Sequence, residues 1–136
     1  MTMIAAWDSR VWTVLRLTID GRWTWAEHQA VTNDMLHMMQ WVKTQVDFIV
    51  DIRTDYVPGG AIQALDSASR FLRHPQSGYA VLVGTHRYSQ ILISLFGSQY
   101  PERALWLLCA PTVQQAHELL VERHCMGAPI HVRMDG

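Results

Sequence analysis

"VDFIVDIRTDYVPGGAIQAL", Val46 to Leu65, is the stretch on which the fold turns. Its first seven residues form a short apolar run, not the strict polar–apolar alternation of a strand with one wet face, so they predict a strand covered on both sides. Pro58-Gly59-Gly60 breaks that strand, and the apolar spacing beyond it predicts a helix through Ala61, Leu65, Ala68, Ser69 and Leu72.

The same strand, loop and helix unit recurs downstream. "YAVLVG" reads as a strand, Tyr88 to Gln99 as a helix and "ALWLLCA" as a strand holding Trp106 in the core. Thr112 with Gln115 then starts a helix through Ala116, Leu119, Leu120 and Arg123, and "IHVRM" near the C-terminus reads as an edge strand or a tail. Upstream, "MIAAW" and "VWTVLRLTI" are rich in β-branched and aromatic residues, and Asp8-Ser9-Arg10 between them makes a hairpin turn. Asp20-Gly21 turns the chain, and Thr24 with Glu27 three residues on forms a capping box, so a helix begins near Trp25. Its face of Val31, Met35, Met38, Met39 and Val42 carries it to about Lys43. These elements predict an α/β fold: a mixed, mostly parallel β-sheet opened by an N-terminal hairpin, with about four helices packed on it and right-handed crossovers.

A chain of 136 residues fits one domain, 1–136, with a core of its own. The 49% hydrophobic and 17% charged shares exclude a disordered composition, and a net charge of -1 supplies no basic field for nucleic acid. No apolar run approaches the roughly 20 residues of a membrane span and no leader pattern opens the chain, which predicts a cytoplasmic protein without membrane insertion. Cys109 and Cys125 have no metal or redox spacing and read as reduced structural cysteines. The histidines show no helical metal spacing and read as scattered surface residues, so no cofactor is expected.

The succession of opening hairpin, "GRWTWAEHQAV", "FIVDIR", "YAVLVG", "LWLLCA" and "TVQQAHELL" resembles the STAS domain, the sulfate transporter and anti-sigma factor antagonist family, over nearly the whole chain. The resemblance implies a non-enzymatic regulatory module that binds a partner protein, in some members under control of serine phosphorylation. Regulatory members carry Asp-Ser-Ser-Gly or Asp-Ser-Thr-Gly after the corresponding strand. Here that place reads "VPGGAIQ", Val57 to Gln63, with no hydroxyl to phosphorylate. Ser67 and Ser69, two turns further on, read as helix surface or packing residues.

Two other functions remain in view. Arg53, Gly59, Gly60, Thr85, His86 and Thr112 all fall at the carboxyl ends of predicted strands, where open parallel sheets bind ligands, and the glycines let a backbone approach an anion closely. Those residues define a hypothetical site for a small anion or lipid in a carrier or sensor. A small enzyme would use His86 as its acid or base. Six tryptophans mark the chain; Trp7, Trp12, Trp23 and Trp25 lie near the opening hairpin and the first helix start. They pack the rim of the core, line an apolar ligand pocket or form the contact of a homodimer.

Overall fold

The computed structural model describes residues 2–8, 13–60, 70–84 and 86–126. Five strands, β1 (Met3–Trp7), β2 (Val14–Ile19), β3 (Val46–Ile52), β4 (Ser77–Val83) and β5 (Leu107–Ala110), form one sheet in sequential order. β1 pairs antiparallel with β2, and β2 through β5 run parallel. The helices among the described residues are α1 (Trp25–Met39), α2 (Arg70–Arg73), α3 (Arg87–Gln99), α4 (Pro101–Ala104) and α5 (Val113–Met126). The expected mixed α/β sheet with its opening antiparallel pair is therefore present.

β3 explains the layering. All of its residues are buried, and its side chains alternate between two cores. Phe48, Val50 and Ile52 join Leu15 and Leu17 of β2, Met35 and Met39 of α1 and Leu92 and Phe96 of α3. Ile49 turns the other way, to Val14, Tyr79, Val81 and the Ala116 and Leu120 side chains of α5. The apolar run at Val46 is thus a two-faced strand, with crossover helices over one face and α5 folded back over the other.

Local sequence accounts for most element ends. The Glu27 N–H donates to Thr24 Oγ1 at 3.1 Å and the Thr24 N–H to Glu27 Oε1 at 3.1 Å, the reciprocal cap expected at α1. α1 stops at Met39 instead of near Lys43. The N–H groups of Gln40, Trp41 and Val42 donate to carbonyls three residues back, at 3.2, 3.3 and 3.1 Å, so the last turn tightens into a 3₁₀-like exit.

Trp106 is a second correction. Pro101 starts the short helix α4, which takes up Pro101–Ala104 and delays the strand to Leu107. Trp106 therefore sits half-buried in the turn before β5, its ring 4.7 Å from that of Tyr79 and 5.3 Å from the Arg103 guanidinium. The helix expected from Ala61 is described only from Arg70; Ala61 to Ser69, Thr85, Trp12, Ser9-Arg10 and "IHVRM" lie outside the described residues.

Candidate functional site

At the carboxyl ends of the parallel strands, polar groups pair within the chain. Asp51, next to last in β3, is buried and receives two arginines: Arg53 through Nη2 at 2.9 Å and Nε at 3.0 Å, and Arg16 of β2 at 3.1 Å. Asp55 accepts the Arg87 N–H at 2.9 Å, filling one of the open donors at the start of α3, and lies 3.7 Å from His86 Nδ1. The Thr112 hydroxyl accepts the Gln115 N–H at 3.1 Å and so caps α5. Gly60 has φ +75°, the left-handed turn glycine supplies at low cost, while the Gly59 carbonyl accepts Trp25 Nε1–H at 2.9 Å. Of the sequence-predicted residues, His86 is brought to the 53–60 loop through Asp55. Arg53 turns back to β3, and Thr112 stays on its own helix.

Beneath that loop lies an aromatic cluster, buried at Trp23, His28 and Tyr88. Trp23 is 1% exposed and donates Nε1–H to the Tyr56 carbonyl at 2.9 Å; its ring stands 4.9 Å from Trp25, 5.6 Å from His28 and 6.0 Å from Tyr88. Trp23 and Trp25 thus tie the 53–60 loop to the start of α1. His28 is 0% exposed, its Nε2 lies 2.9 Å from the Tyr88 hydroxyl, and its Nδ1 is buried without a hydrogen bond. Burial pushes the His28 pKa down to about 4 and raises that of Tyr88, because a low-dielectric site disfavours either charged form.

The histidine expectation needs further correction at the opposite end of the sheet. His117 and His124 of α5 are held by buried carboxylates: His117 Nε2 lies 3.0 Å from Asp8 Oδ2, and His124 Nε2 lies 2.5 Å from Asp47 Oδ2. The register of β3 on β4 shifts between Val46 and Phe48, and Asp47 Oδ1 accepts the Tyr79 N–H there at 2.8 Å. Gly78 makes the room, since a Cβ there would run into Gln45 and the Asp47 carboxylate. Asp47, His117 and His124 border a cleft of about 340 Å³ between α5 and the amino ends of β2 and β3, with Val14, Leu120 and Val121 among its walls. Two signals pointed here. Asp47 shares the Ile49 face by the two-residue strand period, and the seven-residue gap puts His117 and His124 on one helix face.

Comparison with family models, with curated proteins and with solved structures found no match to this chain. Among the described residues, no helix is long and apolar enough to cross a membrane, and no group of three or more His, Cys, Asp or Glu side chains is placed to hold a metal ion.

Proposed function

We propose that this chain is a non-catalytic, STAS-type interaction module of the cytoplasm that binds a protein partner, pairs with a second copy of itself and is not switched by phosphorylation. One surface carries the reading. α5 rests on β3, β4 and β5, and toward the β1 edge, which pairs with no further strand among the described residues, Ile4 (52% exposed) and Ala6 of β1 stand open beside Arg16, Asp51 and Arg53. An edge strand with unpaired backbone groups and an exposed apolar side chain is a place where another chain adds, and charges beside it set register. The polar groups at the strand ends cap helices or balance charge, which supports a contact surface over an acid–base site.

Sedimentation equilibrium of the parent and of Ile4→Lys tests the pairing. The parent is expected to dimerise and the variant to dissociate at the same concentration; a monomeric parent removes the self-association. For the partner, the proteins and metabolites retained by the natively purified chain are identified by mass spectrometry. One protein, lost in Arg53→Glu, supports the module, whereas a bound metabolite with no protein overturns it. Incubation with anti-sigma-type kinases is expected to leave the residues after Gly60 unmodified, and a phosphopeptide from that segment would restore the switch.

A further inference from the structure

We propose that the cleft between α5 and the amino ends of β2 and β3 is a binding site for a small organic amine, an ammonium head on an apolar body. This goes beyond protein contact and lies at the end of the sheet opposite the strand-end crevice. A volume of about 340 Å³ is in the range of small-molecule sites and suits one ring with a short chain. Val14, Leu120 and Val121 supply the apolar wall.

Charge selects the head group. Asp47 lines the cleft with its side chain 7% exposed, and among the described residues its cationic partner is the His124 imidazole, which is charged only when protonated. Asp51, on the same strand, has two permanently charged arginines instead. Among the described residues that line the cleft there is one carboxylate, Asp47, and no lysine or arginine. A buried carboxylate favours a permanent cation over a neutral or anionic head group. The His124 side chain is 49% exposed, so it can swing aside while the ammonium takes its place on Asp47.

The test titrates the full chain with three probes that share a phenethyl body, phenethylammonium, 2-phenylethanol and 3-phenylpropionate, and follows amide shifts by heteronuclear NMR. The amine is expected to saturate shifts at Thr13, Leu120 and Val121, to bind about tenfold more tightly than the alcohol, and the acid to bind weakest. Asp47→Asn, whose amide oxygen still accepts the Tyr79 N–H, is expected to erase the preference for the amine. Val121 is 63% exposed, so Val121→Lys puts a cation at the mouth; because it also trims the apolar wall, it is expected to weaken both amine and alcohol, the amine severalfold more. Equal binding of acid and amine, absence of saturable shifts for the amine, or a Val121→Lys protein that binds it unchanged would overturn the proposal.

Discussion

His28 couples the stability of the fold to pH. Its pKa in the folded chain, about 4, lies below the ordinary 6.5, so the unfolded chain takes up the proton first. Stability then rises with pH between those values and is lost as the solution is acidified through the same window. At about 1.4 kcal/mol per pH unit, His28 alone is expected to remove roughly 3 kcal/mol by the acid end. Denaturant unfolding of the parent and of His28→Leu across that range measures it: the gap between the curves should narrow on acidification, and parallel curves would show that His28 does not titrate on unfolding. Gly78 is the second case. Gly78→Ala forces a Cβ against the Asp47 carboxylate and Gln45, and is expected to cost about 1–3 kcal/mol. His124 resonances should shift in the same variant, since Asp47 holds that ring.

Helix α4 shows how one side chain joins elements that sequence spacing keeps apart. Arg103 donates from Nε to the Leu72 carbonyl at 3.2 Å and from Nη2 to the carbonyls of Ser77 and Gly78 at 3.1 and 3.0 Å. The guanidinium thus ties α4 to the end of α2 and the start of β4, and its partial burial lowers its pKa. Lysine offers a point charge where this geometry uses a planar fork of donors. Arg103→Lys is expected to cost about 1–2 kcal/mol and Arg103→Ala more, by leaving carbonyls unpaired. Urea midpoints read both, with the denaturant slope unchanged. A variant as stable as the parent would mean that water replaces the arginine at all three carbonyls.

At the scale of the molecule, sheet order sets the order of opening. β3 and β4 are buried throughout and stand inside the sheet, whereas β1 is an edge with alternately exposed residues. Amide exchange is expected to be slowest in Phe48 to Val50 and Val81 to Leu82 and markedly faster in β1 and β5, because edge strands open by local fluctuation and central ones only with the whole fold. Exchange of β1 as slow as β3 in dilute monomer would contradict this. If slow β1 exchange appears only as concentration rises, a second copy covers the edge.

Sequence alone determined the alternation of elements, because periodicity and turn chemistry are local: the two-faced run at Val46 and the capping box at Thr24 both act within a few residues. The same locality marked the strand-end residues Arg53, His86 and Thr112 as neighbours of a crevice without saying what they bond. Tertiary structure decided the partners. Asp8 and His117 are distant in the chain, as are Asp47 and His124 and His28 and Tyr88, and each pair meets only after β1 has joined the sheet, α5 has folded back or α3 has crossed over. A histidine reads the same in sequence whether it faces water, a carboxylate or an apolar core. Burial and a partner's position separate those outcomes, and both arise only when separate elements pack.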